Sequence, residues 1–364
     1  MSPGRQMPKK RRVGDVREAE TLVGAAAVRP GEGVLDLGWE GRVQALGLHT
    51  QGNSISFVSS DVRDISFCRK EIQKQEMRSF LARLGERPAD VVSGCFDVVL
   101  YRPHQRAAKE QVFEWVDDAF AVLRVGGRLC LAGRRDRGVE SYARRMQLVF
   151  GRVKKIAQEG RSRVYESVKS RVAAGCEPVD SRQVFQVLDL PGGTYTFRTK
   201  AGVFSWDGVD PGTRCLIGCL DVSPCARVLD LGCGYGAIGM VCARLAPRGQ
   251  VRLVDASVRA VACARANLGE NAIRNAAAMV SDGFEALGEA RFDLVVSNPP
   301  FHEGNATAHP FIDGAAAHLV PGGRLVMVVM RPEPYRRRMA RAFNRVAALV
   351  QKEGYTVLAA SSPR

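Results

Sequence analysis

Two stretches of this chain have the same five residues, and they decide the fold. Val34-Leu35-Asp36-Leu37-Gly38 returns 194 positions later as Val228-Leu229-Asp230-Leu231-Gly232. Each stretch is a short apolar run with an acid near its end and then a glycine, which is the pattern of a buried strand entering a turn. The repetition predicts that one domain occurs twice in the chain.

Two further repeats support the duplication. Phe96-Asp97-Val98-Val99-Leu100 resembles Phe292-Asp293-Leu294-Val295-Val296, and the stretch at residues 123–129 resembles residues 319–325, both at an offset of 196. Three matches in the same order at a nearly constant offset indicate an internal repeat. A length of 364 residues also suits two domains.

Each copy alternates short apolar runs with helical segments, which predicts a parallel sheet covered by helices on both faces. In the second copy, the predicted strands are residues 227–230, 251–255, 278–281, 292–297 and 323–330, with helices at 238–245 and through Val261 and Leu268. We therefore predict an α/β protein with two tandem Rossmann-like, doubly wound domains. A basic tail at 1–14 would precede domains at 15–175 and 176–364, and residues 152–182 would carry the last strands of the first copy into the linker.

The charge of the chain indicates a polyanionic partner. Its 53 lysines and arginines exceed its 38 acids by 15, and they cluster at residues 9–12, 134–137, 144–155 and 331–345. Such clusters bind phosphates with release of counterions, so nucleic acid is the predicted partner. Solvated surfaces and a basic tail are the alternative explanation for the individual clusters.

Other composition features exclude several classes of protein. The sequence has no apolar run of membrane-spanning length and no secretory signal, so we expect a cytoplasmic protein with no membrane partner. Its ten cysteines are scattered, and the closest group, Cys215, Cys219, Cys225 and Cys233, fits neither a zinc site nor a disulfide framework. We predict no metal site and a reducing compartment.

A glycine-rich turn follows the first strand of the second copy. Gly232, Gly234 and Gly236 would let the backbone approach a ligand closely. Alone, this pattern also fits a nicotinamide or flavin enzyme. Asp230, however, lies two positions before the first glycine, where its carboxylate would repel a pyrophosphate but suit the cationic amino-acid end of another cofactor.

Acids also end the next two predicted strands. Asp255, followed by Ala256, stands where an acid accepts hydrogen bonds from ribose hydroxyls. Asp282 and Gly283, with Phe284 after them, are placed to meet the edge and the face of an adenine. Each acid alone could instead cap a helix. Together they favour an adenosine cofactor with a cationic amino-acid end, S-adenosylmethionine.

Asn298-Pro299-Pro300-Phe301 directly follows the fourth strand of the second copy and carries the predicted chemistry. An exocyclic amine on a base is a poor nucleophile, because its lone pair is delocalised into the ring. The Asn298 side-chain oxygen and the Pro299 carbonyl could hold both N–H groups, pyramidalise the nitrogen and aim its lone pair at the methyl group. Phe301 could stack on the base. Asn298 would also border the cofactor.

These residues resemble a known family. Ser297-Asn298-Pro299-Pro300-Phe301-His302-Glu303-Gly304 and the stretch at residues 196–205, with Asp210-Pro211-Gly212-Thr213 after it, resemble motifs of the bacterial ribosomal RNA guanine-N2 methyltransferases. The resemblance covers nearly the whole chain and favours the small-subunit 16S type over the large-subunit type. It implies tandem class I methyltransferase domains of which only the second binds S-adenosylmethionine, ribosomal RNA or a ribosomal subunit as partner, and a monomer.

The first copy departs from a usable site. Gly38-Trp39-Glu40-Gly41-Arg42 replaces the glycine turn, and Tyr101-Arg102-Pro103-His104 replaces the Asn-Pro-Pro-Phe element. We therefore expect a degenerate first domain that docks RNA and serves as a scaffold. The chain also departs at Met330, where the family more often has a polar residue, and in the arginine-rich helix beginning near Pro334.

Alternatives remain open from the sequence alone. Asn-Pro-Pro followed by an aromatic residue also occurs in enzymes that methylate adenine N6 or a protein glutamine. A non-catalytic RNA-binding assembly factor and a nicotinamide oxidoreductase are the other candidates. His302 could contact RNA, contact the Asn298 loop or cap the turn.

Overall fold

The computed structural model describes residues 9–38, 52–77, 79–170, 176–300 and 305–364. Its contacts divide the chain into two units, Met1–Ser181 and Arg182–Arg364. The division falls six residues after the predicted domain boundary. Ser181 remains with the first unit because Glu114 accepts hydrogen bonds from its backbone N–H and hydroxyl, and the backbone N–H of Val179 donates to Asp117.

The first unit contains a seven-stranded sheet in the order β3-β2-β1-β4-β5-β7-β6. The first five strands of that order are parallel, and β7 is antiparallel to both β5 and β6. The strands are β1 (Gly33–Gly38), β2 (Ser54–Ser59), β3 (Phe80–Leu84), β4 (Phe96–Arg102), β5 (Leu123–Arg134), β6 (Lys154–Glu159) and β7 (Ser162–Val168). The described helices are α1 (Lys9–Ala26), α2 (Val62–Lys74), α3 (Pro88–Val91), α4 (Lys109–Val122) and α5 (Val139–Phe150).

The second unit repeats this sheet as β12-β11-β10-β13-β14-β16-β15 and begins with a separate hairpin of β8 and β9. The strands are β8 (Arg182–Leu190), β9 (Gly193–Lys200), β10 (Arg227–Leu231), β11 (Gln250–Asp255), β12 (Ala276–Val280), β13 (Phe292–Ser297), β14 (Leu319–Val329), β15 (Phe343–Lys352) and β16 (Tyr355–Pro363). The helices are α6 (Pro211–Ile217), α7 (Ala237–Leu245), α8 (Val258–Glu270), α9 (Asn305–His318) and α10 (Pro332–Ala342).

The two copies of Val-Leu-Asp-Leu-Gly form β1 and β10, near the centre of their sheets, where both faces of the strand are buried. In the second unit, α6, α7, α8 and the hairpin cover one face of the sheet, and α9 and α10 cover the other. The predicted pair of doubly wound α/β domains is thereby confirmed. The strand order reverses between β10 and β13, which is where such sheets bind ligands.

The structure differs from the predicted elements at several ends. β14 begins at Leu319 rather than at 323, because Leu319 pairs with Phe292 before a register shift that restores pairing at Arg324. α1 begins at Lys9, inside the predicted basic tail, whose first eight residues lie outside the described part of the chain. None of the helices that the structure describes is both long and apolar enough to cross a membrane.

Candidate active site

The glycine turn after β10 has a backbone that other residues rarely adopt. Gly232, Gly234 and Gly236 have φ angles of +75°, +55° and +97°. The backbone N–H groups of Gly232 and Cys233 both donate to the Val254 carbonyl at 2.9 Å, which fixes the start of the turn against β11. Side chains at these positive φ values would be strained, so the glycines keep the turn open to a ligand.

Asp230 lies completely buried beneath this turn. Its Oδ2 accepts a hydrogen bond from the Gly239 N–H at 2.8 Å, in the first turn of α7. Its Oδ1 has no hydrogen-bond partner within the described chain. Burial raises the pKa of Asp230, the Gly239 hydrogen bond lowers it and the nearby charge of Asp255 raises it, and together they bring the pKa to about 7. A buried acceptor without a donor is costly, and a cationic or N–H-bearing ligand would satisfy it.

Asp255 joins the glycine turn to the next helix. Its Oδ2 accepts from the Gly234 N–H and its Oδ1 from the Ser257 N–H, both at 2.9 Å. Ser257 itself is the N-cap of α8, so the alternative role of Asp255 as a helix cap is wrong. The following residue, Ala256, is half-buried at the same strand end. The carboxylate therefore borders the turn from the second strand.

The third strand end is only partly as expected. Asp282 and Gly283 are half-buried after β12, and Gly283 has a φ of +58°. The Phe284 ring, however, stacks on His318 of α9 at 4.6 Å between centroids, so protein covers one of its faces. The prediction that the Phe284 face meets an adenine therefore does not hold for the covered face. The ring turns toward α9 because Gly314 leaves room for it there.

Phe311 of α9 was not predicted as a site residue. A Cβ added at Gly232 or at Gly283 would lie within 4 Å of its ring. The ring therefore lies between the glycine turn after β10 and the turn after β12. In the sequence, Phe311 is one apolar residue of a helical run. Nothing in that run distinguishes a site residue from a core residue.

Asn298 follows β13 at the same edge of the sheet. The Ser297 hydroxyl donates to the Leu231 carbonyl at 2.7 Å and so ties the end of β13 to the end of β10. Asn298 Nδ2 donates to Asp210 Oδ2 at 2.9 Å and to Thr213 Oγ1 at 2.8 Å. Its Oδ1 is buried and has no partner among the described residues. The structure thus brings Asn298 and the glycine turn together.

The remaining residues of the predicted catalytic loop are only partly described. Pro299 is buried and Pro300 is exposed. Phe301, with His302, Glu303 and Gly304, lies outside the residues that the structure describes. Asp210, quoted above only as part of a family motif, caps α6 by accepting from the Thr213 N–H at 2.8 Å. The sequence did not reveal that this cap also reaches Asn298.

The β8–β9 hairpin lies against α8 and the glycine turn. Asn267 of α8 is fully buried, and its side chain bonds both backbone groups of Arg198 and the Tyr235 carbonyl, at 2.6 to 3.0 Å. The rings of Phe197 and Tyr235 meet edge to face at 5.2 Å. The stretch at residues 196–205 therefore supports the turn, a role that its sequence did not reveal.

The equivalent edge of the first unit is built differently. The Asp36 carboxylate accepts from the Gly38 N–H at 2.7 Å. Tyr101 packs on Trp115 at 5.7 Å, and a buried Arg102 occupies the position that corresponds to Asn298. Residues 39–42, which replace the glycine turn, lie outside the described residues. No group of three or more His, Cys, Asp or Glu in the described part of either unit could hold a metal ion.

A sheet of this topology, with the glycine turn after β10 and an Asn-Pro-Pro loop at the same edge, is that of a methyltransferase acting on amino groups. The methyltransferase small domain family matches the chain twice, over residues 19–166 and 194–359. The chain belongs to this family, whose cofactor is S-adenosylmethionine. The nicotinamide alternative is therefore wrong.

Curated relatives and a solved structure agree with this assignment. The chain is 32% identical over 252 residues to ribosomal RNA small subunit methyltransferase C of Escherichia coli, covering 68% of this chain and 70% of that protein. Its counterpart in Erwinia tasmaniensis is 29% identical over 284 residues, covering 76% and 78%. The 16S rRNA N2 methyltransferase of T. thermophilus, solved with AdoMet and guanosine, is 30% identical with a TM-score of 0.82, covering 95% and 92%. The predicted family is confirmed.

Proposed function

We propose that this protein transfers a methyl group from S-adenosylmethionine to the exocyclic N2 amine of a guanine in 16S ribosomal RNA. One observation carries the proposal: the Asn298 amide is held by its nitrogen, which leaves its oxygen as an unpaired, buried acceptor beside the glycine turn. The relatives whose names specify small-subunit ribosomal RNA support the substrate.

The residues at the strand ends fit the cofactor. Asp230 presents an unsatisfied carboxylate oxygen for the cationic amino-acid end, Asp255 can accept from ribose hydroxyls, and the glycine turn leaves space between them. Asp282 and Gly283 would border the adenine, with Phe311 nearby. Bound S-adenosylmethionine supplies a methyl group on a positively charged sulfur.

Asn298 and Pro299 would prepare the amine. The Asn298 oxygen and the Pro299 carbonyl accept its two N–H groups, draw the nitrogen out of conjugation with the ring and direct its lone pair away from the base. Positioning of this kind supplies up to about 7–11 kcal/mol of a reaction barrier. The two prolines restrict the backbone on which this carbonyl sits. In this proposal, Phe301 stacks on the extruded base.

We further propose that the first unit docks RNA, and that the chain acts as a monomer in the cytoplasm. All ten cysteines are free thiols, which suits a reducing compartment. The tandem repeat supplies within one chain the second copy that a dimer would otherwise bring. Sedimentation of the purified protein as a single chain would support the monomer, and a dimer mass would contradict it.

The test is methylation of 16S ribosomal RNA by the purified protein, followed by nucleoside mass spectrometry. We expect N2-methylguanosine, and we expect Asn298→Ala to lower turnover by at least about 100-fold while cofactor affinity by calorimetry stays unchanged. Appearance of N6-methyladenosine instead would mean that the target is adenine N6 and not guanine N2. Absence of both cofactor binding and methyl transfer would favour the non-catalytic assembly factor.

A further inference from the structure

The first unit contains an open cavity of about 390 Å³ that is rich in arginine. It is lined by Arg135, Asp136, Gln158, Gly160, Arg161 and Arg163. The cavity lies where the carboxyl end of β5 meets the turn between β6 and β7, and the Arg135 N–H donates to the Arg161 carbonyl at 2.9 Å across that junction.

Cations outnumber anions around this cavity. The arginines that line it are Arg135, Arg161 and Arg163, and Asp136 is the one acid in the lining. Asp136 accepts from Arg134 at 3.0 Å and from Arg161 at 3.2 Å, and the hydrogen bond from Arg134 lowers the pKa of Asp136. Glu140 pairs with Arg163 and accepts from the Tyr165 hydroxyl.

Two guanidinium groups remain available to a ligand. The Arg161 side chain is 73% exposed, and within the described residues its guanidinium bonds only Asp136, at 3.2 Å. The Arg135 guanidinium contacts no acceptor in the described parts of the chain. Guanidinium forks match the oxygens of a phosphate and bind it with paired hydrogen bonds.

Protection of a sheet edge does not explain these residues. β6 is the edge strand of the first unit, and its lysines, Lys154 and Lys155, already give that edge the charge that discourages pairing with another sheet. Arg135 and Arg161 lie instead at the carboxyl ends of the parallel strands, which is the edge that carries the cofactor residues in the second unit.

We propose that this cavity, the arginine cavity, binds backbone phosphates of ribosomal RNA and docks the substrate on the first unit. The inference rests on the proposed function and specifies where one of its RNA contacts is made. Three arginines lining one open cavity suit a chain of phosphates better than one small anion.

The test compares two double variants of the full chain that remove equal charge. Arg135→Gln with Arg161→Gln changes the arginine cavity, and Arg69→Gln with Lys70→Gln changes two exposed cations on α2. Binding to 16S ribosomal RNA transcribed in vitro is measured over a range of salt concentrations. Cofactor calorimetry and thermal unfolding check that both variants remain folded.

We expect the cavity variant to reduce the slope of log affinity against log salt by about 1.5, as two lost phosphate contacts require, and the α2 variant to leave it unchanged. Equal behaviour of the two variants would overturn the inference. So would loss of inorganic phosphate binding with RNA affinity intact, which would assign the cavity to a small anion. Failure of the unaltered chain to bind either this RNA or the assembled small subunit would instead remove the proposed function itself.

Discussion

Asn298 Nδ2 lies 2.9 Å from Asp210 Oδ2, although 88 positions separate the two residues in the chain. A carboxylate only accepts hydrogen bonds, so this contact requires the amide nitrogen, and not the amide oxygen, to face Asp210. Thr213 Oγ1 takes the second hydrogen of the same nitrogen. The orientation of the Asn298 oxygen is therefore fixed by residues outside the Asn-Pro-Pro loop.

Removal of the Thr213 hydroxyl should lower turnover without affecting the cofactor. Thr213→Val deletes one of the two bonds that orient Asn298, and a net hydrogen bond of about 0.5–1.5 kcal/mol corresponds to a roughly two- to thirteenfold lower kcat. Methyl transfer and cofactor calorimetry are measured together. Thr213→Ser restores the hydroxyl and should recover most of the activity. An equal loss in both variants would mean that Thr213 acts only through packing.

The buried carboxyl of Asp230 should make cofactor binding depend on pH. Its folded pKa of about 7 lies above the unfolded value of 3.8, so it contributes stability to the cofactor-free protein below about pH 4 and loses that contribution as pH rises through 7. A cationic ligand favours the carboxylate, so affinity should rise up to about tenfold per pH unit until pH 7 and then level off.

Calorimetry across this pH range, with Asp230→Asn as the comparison, tests the assignment. The amide keeps an acceptor for the Gly239 N–H but has no proton to lose. We expect weaker binding and a flat pH profile. A profile in the Asn variant as steep as in the unaltered chain would assign the titration to another group.

The sequence was sufficient for the sheet and for placing the candidate site residues at one edge of it. Apolar runs such as Phe292–Ser297 are buried on both faces, so their bounds can be read from composition. Because parallel strands end at one edge, an acid or asparagine after each run had to lie near the others. Asp230, Asp255 and Asn298 do so.

The sequence could not reveal contacts that depend on packing across the fold. Asp210 resembles any N-cap residue, and its reach to Asn298 depends on how α6 packs against the sheet. Phe284 follows a strand and Phe311 lies inside a helix, and nothing in the sequence shows which of the two faces the site. Only the space left by Gly314 decides that Phe284 stacks on α9.

A methyl group added at Gly239 should disturb the cofactor site. A Cβ there would lie 2.6 Å from Leu253 Cγ and 2.9 Å from Asp230 Oδ2, so the carboxylate must shift. We expect Gly239→Ala to weaken cofactor binding by about tenfold, equivalent to roughly 1.4 kcal/mol.

The matched control is Gly269→Ala, which also lies in a helix but has open space around it. It should raise the free energy of unfolding by about 0.5–1 kcal/mol and leave cofactor affinity unchanged. Similar affinities for the two alanine variants would show that crowding at Gly239 does not reach Asp230.

Asn267 should be important for stability. Asn267→Ala leaves the backbone groups of Arg198 and the Tyr235 carbonyl without buried partners, so we expect the free energy of unfolding to fall by about 2–4 kcal/mol. Denaturant unfolding measures the change. Asn344→Ala, which removes one exposed bond to Ser362, should cost less than about 0.5 kcal/mol. Equal losses would contradict the role of Asn267.

The hairpin that Asn267 holds sets a limit on how short an independent catalytic fragment can be. A polypeptide begun at Pro211 would retain every strand of the large sheet. It would nevertheless lose the aromatic cover of Tyr235 and the two backbone groups of Arg198 that bond Asn267. A fragment intended to bind cofactor should therefore start no later than Arg182, so that it keeps the hairpin that precedes the first strand of the large sheet.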